Sequence, residues 1–364
     1  MSDGVIGGAC DDCVRRAWLL GRMAGHLESS RARIDAVLGL TDAELIEAIG
    51  GRRREQLRVE LAGVDIDAER ERSRNHGIEL ICRCDPAYPR RLRELDAPPA
   101  VLHVSGGAER LAALVADDPV AIVGARAASP YGAAVARSLA RGLTRAGVVV
   151  LSGMANGIDS AAHAGALDAG GPTVAVLPGP SNRPYPPGRR ALHRRLTSTG
   201  AAVSELPPGC TVRRWMFPAR NRIIAALSAI TIVVEAGERS GALVTAGFAD
   251  ALGRPVGAVP GQVTARRAAG PNELLAEGAV LVRGAQDVLD ALFGAGLRTA
   301  SRSERPELDD ELARLLDAIA AGHDTAAALV RAGLSPDRGL AALASLELAG
   351  YIRREAGGRY AVIP

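Results

Sequence analysis

Apolar residues recur at three- and four-residue spacings over residues 10–81, which is typical of amphipathic helices. A capping box, Thr41-x-x-Glu44, marks the start of one of these helices. We therefore predict a helical N-terminal domain over residues 1–82. The proline-rich residues 85–99 that follow are predicted to form a connector into the next domain.

The pattern then changes to short, nearly continuous apolar runs that alternate with helical segments. Strands that are buried on both faces need such runs, so an α/β domain with a doubly wound parallel sheet is predicted over residues 83–296. The strands are placed at residues 120–123, 148–151, 173–177, 230–234 and 256–259. Ligands of such sheets bind at the carboxyl ends of the strands, so function is expected there.

The C-terminal part returns to helical spacing after a polar, charged linker at residues 297–306. Residues 307–364 contain helical patterns and then a hairpin signal at Gly357-Gly358, which together predict a winged-helix-like domain. The helical patterns cover residues 312–321, 325–332 and 338–349. Because this segment is not conspicuously basic, a protein-contact or structural role is favoured over DNA binding.

Composition adds two constraints on the partner of this protein. Of 364 residues, 48% are hydrophobic and 23% are charged, which is typical of a folded soluble protein. The formal net charge is only +3, so a site for a polyanion has to be a local concentration of charge. The sequence contains no lysine, so all 44 basic residues are arginine. P-loop and Schiff-base lysine chemistry are thereby excluded.

The five cysteines are too few for a disulfide framework in a chain of this length. The sequence opens with no signal-peptide pattern and has no apolar run of roughly 20 residues, so a cytoplasmic protein without a membrane partner is expected. Cys10-x2-Cys13 and Cys82-x-Cys84 could supply zinc ligands. Nothing in the sequence shows that the two pairs meet, so free thiols and no metal are the favoured interpretation.

The first candidate loop follows strand 120–123 and includes Gly124, Arg126 and Ser129. It lacks the G-x-G-x-x-G spacing, and no acid ends the second strand, so an oxidoreductase with a dinucleotide cofactor is disfavoured. Two interpretations stay open. Either the loop is an ordinary turn with an arginine in solvent, or Arg126 and Ser129 are directed at a phosphate.

The second candidate loop carries Ser152, Gly153 and Gly157, and its glycines let the backbone approach a ligand closely. Asp159 is predicted to cap the next helix, and His163 lies four residues further along it. An Asp/His pair suggests acid–base chemistry, but no nucleophile accompanies it. A capped helix with a hydrogen-bonded core histidine is therefore favoured.

Two further segments point to an anionic ligand. Phe217, Arg220, Asn221 and Arg222 lie at the start of a predicted helix, where free backbone N–H groups favour an anion. A ring beside guanidinium groups suits a nucleic-acid strand, because the ring stacks on a base while the arginines hold the backbone. After the strand that ends at Glu235, a phosphate cradle is predicted at Ser240, Gly241 and Thr245.

The motifs of the central domain form an ordered set: Gly124, Arg126, Ser129, Tyr131-Gly132, Ser152-Gly153, Gly157-Ile158-Asp159, Ala162-His163, Tyr185-Pro186, Ser204-Glu205, Phe217-Pro218-x-Arg220-Asn221-Arg222, Val234-Glu235-Ala236, Ser240-Gly241-Ala242-Leu243-x-Thr245 and Val259-Pro260-Gly261. In this order they resemble the DprA/Smf family of DNA-processing proteins. The resemblance covers residues 85–292, and the tail resembles the winged-helix domain of that family. The N-terminal helices are similar only in kind, and the first cysteine pair is not part of the pattern.

The resemblance implies a bacterial homodimer that binds single-stranded DNA on an extended Rossmann-type domain. It also implies loading of RecA recombinase during natural transformation or recombination, without a cofactor and without enzymatic activity. The DNA contacts that carry over are Arg126, Phe217, Arg220 and Arg222, framed by the glycine loops. Asn156 stands where the family commonly has arginine, so one expected positive charge is missing.

Two alternatives use the same fold. Nucleoside-monophosphate phosphoribohydrolases resemble this family, but no glutamate follows Thr245 at the spacing their glycine-rich loop requires. A hydrolase without this carboxylate lacks its acid–base group. A nucleotide-sensing or partner-binding scaffold is the other alternative, and it would bind nucleotides without any dependence on strand length.

Overall fold

The computed structural model describes residues 9–299 and 308–363, apart from residues 332, 334, 335 and 356. Its N-terminal part is helical, as the spacing predicts, with α1 (Asp11–Arg22), α2 (Ile34–Leu38), α3 (Asp42–Ile49), α4 (Arg54–Ala62) and α5 (Ile66–Asn75). The predicted capping box begins α3. The Thr41 hydroxyl accepts from the N–H of Glu44, and the Glu44 carboxylate accepts from the N–H of Thr41 at 2.9 Å.

The central domain is built on one large sheet whose strands are β1 (Glu79–Cys82), β2 (Val101–Ser105), β3 (Val120–Val123), β4 (Val150–Ser152), β5 (Thr173–Val176), β6 (Ala201–Ser204), β7 (Ile230–Val233), β8 (Val256–Ala258) and β9 (Val280–Leu281). Their order is β1-β2-β6-β5-β4-β3-β7-β8-β9. Strands β3 to β9 run parallel, while β2 pairs antiparallel with both β1 and β6. The predicted α/β fold class is confirmed, and the five predicted strands are β3, β4, β5, β7 and β8.

Helices cover both faces of this sheet, as a doubly wound fold requires. They are α6 (Ala108–Leu114), α7 (Pro130–Arg145), α8 (Ile158–Asp168), α9 (Arg190–Thr199), α10 (Met216–Leu227), α11 (Gly241–Ala251), α12 (Ala269–Ala276) and α13 (Ala285–Phe293). One aliphatic layer packs α10 and α11 onto the sheet, and the other packs α7, α8 and α13. The two layers fix the carboxyl ends of β3, β4 and β7, where the candidate loops begin.

The start of the sheet differs from the prediction. Strand β1 lies inside the predicted helical domain, so the sheet begins at Glu79 and not after residue 82. The predicted connector is also part of the core. The Tyr88 side chain is only 1% exposed, and its hydroxyl donates to the Pro99 carbonyl oxygen at 2.8 Å.

The N-terminal helices share a hydrophobic core with the first turn of α10. Leu19, Met23 and Leu45 pack in one cluster with Trp215 and Met216. The indole N–H of Trp215 donates to the carbonyl oxygen of Ala24 at 2.8 Å, which satisfies the one polar group of this buried ring. The N-terminal helices therefore position α10, which carries the aromatic and arginine motif.

The C-terminal part has the helices and hairpin that the sequence predicts: α14 (Asp310–Ala320), α15 (Ala326–Arg331), α16 (Pro336–Leu348), β10 (Ile352–Arg354) and β11 (Tyr360–Val362). Strands β10 and β11 pair antiparallel. Leu315, Ile319, Leu346 and Ile352 form a core of their own. Most of the predicted linker, residues 300–306, lies outside the described residues. None of the helices in the described ranges is long and apolar enough to cross a membrane.

Candidate nucleic-acid interface

A cavity of about 780 Å³ lies at the carboxyl ends of the central strands. Its wall combines Gly124 and Arg126 after β3, Phe217 on α10 and Ser240 at the start of α11. Arg31, from the N-terminal region, closes one side. The loops that the sequence singles out separately thus converge on one concave surface.

Phe217 lines both this cavity and a smaller one of about 130 Å³, and it lies among polar and aromatic groups. The guanidinium carbon of Arg126 is 4.8 Å from the centre of the Phe217 ring. The Tyr185 ring approaches with its centre 5.3 Å away and an interplanar angle of 67°. Arg126 is exposed and Phe217 is half-buried. Such a ring can stack on a flat ligand once the exposed guanidinium of Arg126 moves aside.

Arginines dominate the charge of the cavity. Among the described residues, five guanidinium groups line it, and they belong to Arg31, Arg126, Arg214, Arg220 and Arg239. The carboxylates in the lining are those of Asp35 and Asp159. The positive charge is therefore concentrated here, although the whole chain is only mildly basic.

Arg220 lines the cavity but has main-chain partners. It is 6% exposed, and its Nη1 donates to the carbonyl oxygens of Gly153 and Val176, both at 2.6 Å. Burial lowers the pKa of Arg220 to about 10, although Asp159 favours the charged form. The guanidinium therefore stays charged at neutral pH and holds the ends of β4 and β5. Arg220 therefore positions these strand ends, and its expected contact with DNA stays a prediction.

Arg222 lies away from the cavity. It is only 2% exposed, and its Nη2 donates to both carboxylate oxygens of Glu205, at 2.7 and 2.6 Å. Its Nη1 donates to the carbonyl oxygen of Ala97 at 2.6 Å. The expectation that Arg222 contacts DNA is corrected, because this buried ion pair leaves the guanidinium inaccessible.

The loop after β3 binds the carboxylate of Glu235, which follows β7. Ser129 caps α7, and its backbone N–H donates to the Glu235 carboxylate at 2.8 Å, while its hydroxyl donates to the same carboxylate. A Cβ on Gly132 would lie 2.3 Å from the Glu235 carboxyl carbon, so only glycine leaves room for this carboxylate. The interpretation that Ser129 is directed at a phosphate is corrected, because Glu235 takes that place.

The glycines after β4 serve close packing within the protein. A Cβ on Gly153 would lie 2.0 Å from Arg220 Nη1, and a Cβ on Gly157 would lie 2.2 Å from the Ala125 carbonyl oxygen. The Ser152 hydroxyl is buried and donates to the Ile122 carbonyl oxygen at 2.6 Å. Gly153, Gly157 and Ser152 therefore lock the two loops together. Gly153 also lines a smaller cavity beside Phe217, so the predicted approach of these glycines to a ligand stays a prediction.

Asp159 and His163 do not pair. Gly157 is the N-cap of α8, and the Asp159 carboxylate accepts from the N–H of Ala155 at 3.3 Å. His163 Nδ1 lies 2.8 Å from the Thr173 hydroxyl, and burial lowers the pKa of this ring to about 3. The predicted Asp159 cap is corrected. His163 is a core histidine, as the favoured interpretation holds.

The start of α11 is held by hydrogen bonds from its neighbours. Asn221 donates to the Gly241 carbonyl oxygen at 3.1 Å, and the buried Thr245 hydroxyl donates to the same oxygen at 3.4 Å. The Ser240 hydroxyl accepts from the N–H of Ala242 at 3.3 Å as the helix cap. Gly241 is exposed at the cavity. The phosphate cradle at this helix start stays a prediction.

Several cavity residues were not singled out as site residues from the sequence. Tyr185, which lines the smaller cavity, belongs to the motif set without an assigned role, and Arg239 directly precedes the predicted cradle at Ser240. Arg31 and Arg214 stand in segments without a recognisable pattern. Arg189 donates to the Asn156 side-chain oxygen at 3.0 Å. The Arg189 guanidinium thus lies beside Asn156, the position where the resembled family commonly has arginine. This contact joins two loops that are distant in sequence, so only the folded chain shows it.

Comparisons with family models and with known proteins all point to the same family. The model for DNA recombination-mediator protein A matches residues 79–293, and the model for the DprA winged helix domain matches residues 299–358. A DprA homologue of Mycobacterium tuberculosis is 44% identical over 251 residues, which cover 65% of this chain and 62% of the relative. The DNA processing protein DprA of Bacillus subtilis is 37% identical over 219 residues, covering 60% of this chain and 73% of the relative.

Two solved structures share the architecture. The DNA processing protein A of Streptococcus pneumoniae aligns with a TM-score of 0.63 at 31% identity and covers 77% of this chain and 96% of its own. The Helicobacter pylori protein, whose structure describes a single-stranded DNA binding mode, aligns with a TM-score of 0.51 at 29% identity. It covers 56% of this chain and 92% of its own. The family model covers more than half of the sequence, and the chain therefore belongs to the DprA family of DNA recombination-mediator proteins.

Proposed function

We propose that the cavity binds single-stranded DNA and that Phe217 is its stacking platform. The observation that carries the proposal is the half-buried Phe217 ring, with Arg126 at 4.8 Å over it, inside a cavity lined by arginines. The single-stranded DNA binding mode described for the Helicobacter pylori relative supports it. Because the match spans 62% of the mycobacterial relative, the activity of the whole protein is part of the same proposal.

The geometry suggests how a strand is held. A base stacks on the Phe217 ring after Arg126 leaves the ring and pairs with the phosphate on either side. Arg31, Arg214 and Arg239 are exposed on the cavity wall and can neutralise further phosphates. A duplex keeps its bases stacked inside the helix, so it cannot use the ring. Stacking accepts every base, so weak sequence dependence is expected.

Replacing Phe217 with alanine is expected to weaken single-strand affinity by about 1–3 kcal/mol, because base stacking on the ring is lost. The phosphate contacts stay, so the salt dependence of binding is expected to change little. Fluorescence anisotropy with a labelled oligonucleotide at several salt concentrations measures both quantities.

Phe293→Ala is the matched control, because Phe293 also carries an arginine over its ring, with Arg298 at 4.2 Å, but lies outside the cavity lining. It is expected to keep the affinity of the unchanged protein. If Phe217→Ala instead unfolds the protein, or binds as tightly as the control, the ring is a packing residue and the proposed platform is wrong.

We further propose that the protein delivers the bound strand to a RecA-type recombinase and acts as a homodimer. The description of the matching family as a recombination mediator supports the first part. Faster recombinase filament assembly on single-stranded DNA in the presence of the protein would support delivery, and an unchanged rate would exclude it. Sedimentation analysis of the full chain tests the dimer.

The nucleotide hydrolase is the weaker alternative. Glu235 and Glu205, the two glutamates of the motif set, are held by partners within the protein. The Glu235 carboxylate accepts from Ser129, and the Glu205 carboxylate accepts from Arg222. Neither is in the cavity lining. Release of a base from a nucleoside monophosphate by the purified protein would contradict this assignment.

A further inference from the structure

Four of the five cysteines meet at one point of the fold. Cys10 is the N-cap of α1 and Cys13 lies in its first turn, while Cys82 ends β1 and Cys84 follows it. All four Sγ atoms lie within 4.8 Å of one another. The sequence alone does not join the two cysteine pairs and therefore favours free thiols. The fold brings them together.

The spacing of the sulfur atoms fits a single metal ion. A tetrahedral zinc ion with four thiolates at about 2.3 Å holds its sulfur atoms about 3.8 Å apart. The Sγ atoms of Cys13 and Cys84 are 3.9 Å apart, close to this value. An iron–sulfur cluster has to place several iron and sulfide atoms between its cysteines, so this group is too compact for one.

The four sulfur atoms lie at a partly shielded position beside the start of a helix. Cys10 and Cys13 stand at the N-terminus of α1, next to its first backbone N–H groups. The backbone N–H of Cys10 also lies 3.5 Å from the Cys82 sulfur and donates to it. Cys13 and Cys82 are 2% and 3% exposed, whereas Cys84 is exposed. A metal ion thus has a shielded site with an open path from solvent.

We propose that Cys10, Cys13, Cys82 and Cys84 bind one structural zinc ion. The first pair lies at the start of α1 and the second pair lies beyond α5, since Cys82 follows Cys10 by 72 positions. A metal that joins them closes this long segment and ties the N-terminal helices to the edge strand of the sheet. Closing a long loop removes conformational entropy from the unfolded chain, so zinc is expected to stabilise this part of the protein.

The site also has a structural link to the cavity. The helices that zinc would fix pack against Trp215 at the start of α10 and carry Arg31 and Asp35 into the cavity wall. Zinc would therefore stabilise one side of the cavity without contacting its ligand. The zinc proposal itself does not depend on the proposed DNA binding.

Metal analysis of the full chain, purified without a metal-binding tag, tests the proposal. The expected result is about one zinc per chain, and the Cys13→Ser and Cys82→Ser variants are expected to lose at least about nine-tenths of it. Cys210→Ser is the matched control, because Cys210 lies outside the cluster, and it should keep its zinc.

A second measurement covers variants that fail to fold. The unchanged protein, stripped with a chelator and reloaded with Co²⁺, is expected to show the visible absorption of a tetrahedral cobalt tetrathiolate. Cys84→Ser removes an exposed ligand and should weaken that absorption without disturbing the core. A protein that retains neither zinc nor cobalt after desalting, or whose clustered cysteines are joined by disulfides, would overturn the proposal.

Discussion

Replacing Arg222 with methionine is expected to destabilise the protein by about 3–5 kcal/mol, because the Glu205 carboxylate is left buried without its partner. The Nη2 of Arg222 lies 2.7 and 2.6 Å from the two Glu205 oxygens, and both side chains are shielded from solvent. The Nη1 of Arg222 also donates to the Ala97 carbonyl oxygen at 2.6 Å, and the substitution removes this hydrogen bond as well. Chemical denaturation followed by circular dichroism measures the loss.

Two controls separate this effect from a general loss of charge. Arg195→Met breaks an exposed ion pair with Asp168 and is expected to change stability by less than about 1 kcal/mol. Replacing both buried partners, by Glu205→Leu with Arg222→Met, should recover much of the loss. If Arg222→Met folds with unchanged stability but loses DNA affinity, Arg222 contacts DNA and its assigned structural role is wrong.

Protonation of His163 and His103 is expected to lower the stability of the fold by about 3–4 kcal/mol between pH 7 and pH 5, at about 1.4 kcal/mol per pH unit for each ring below pH 6.5. Burial lowers the pKa of His163 to about 3 and that of His103 to about 4. The folded state therefore binds fewer protons than the unfolded state. The stability from the neutral rings is fully present above the unfolded pKa of 6.5 and is lost as the pH falls below it. Urea unfolding at several pH values measures the slope.

Buried carboxyl groups act in the other direction. Burial raises the pKa of Asp35 and Asp159, and a raised carboxyl pKa favours the folded state as the pH falls. His163→Gln isolates the contribution of one ring, because this variant should lose about 1.4 kcal/mol per pH unit of the acid destabilisation below pH 6.5. His76→Gln, at an exposed histidine, is the matched control. A His163→Gln variant that keeps the pH dependence of the unchanged protein would contradict the burial of His163 as a neutral ring.

The central strands could be predicted because β3, β4, β5 and β7 are short runs of mostly aliphatic residues buried on both faces. The strands that the sequence did not predict are β1, β2, β6 and β9. Strand β9 has only two residues, and β6 reads Ala-Ala-Val-Ser, which is too short and small to stand out. Edge strand β1 closely follows helix α5, so its four residues read as a continuation of the helical periodicity before it.

The position of Arg222 could have been found from the sequence. With 3.6 residues per turn, a residue five positions after Phe217 lies about 140° around α10, whereas Arg220, Asn221 and Ile224 stay within about 60° of it. The cavity lining contains those three residues and not Arg222. Helical periodicity alone therefore places Arg222 on a different face of α10 from Phe217.

Other features depend on contacts between distant segments. Arg31 reaches the cavity only because the N-terminal helices pack on Trp215, and Arg189 meets Asn156 from a different loop. The cysteine pairs likewise meet across the whole helical region. No local pattern encodes such contacts, since each depends on how complete elements pack.

The affinity of the full chain for a single-stranded oligonucleotide, compared with a duplex of the same length over a salt series, tests the central claim most directly. We expect tighter binding to the single strand at every salt concentration. We also expect log affinity to fall by about 0.7 per log unit of salt for each phosphate neutralised. Affinity should rise with strand length until the arginine-lined cavity is filled. Equal affinity for the duplex, or binding that does not change with strand length, would show that this cavity is not a single-strand site.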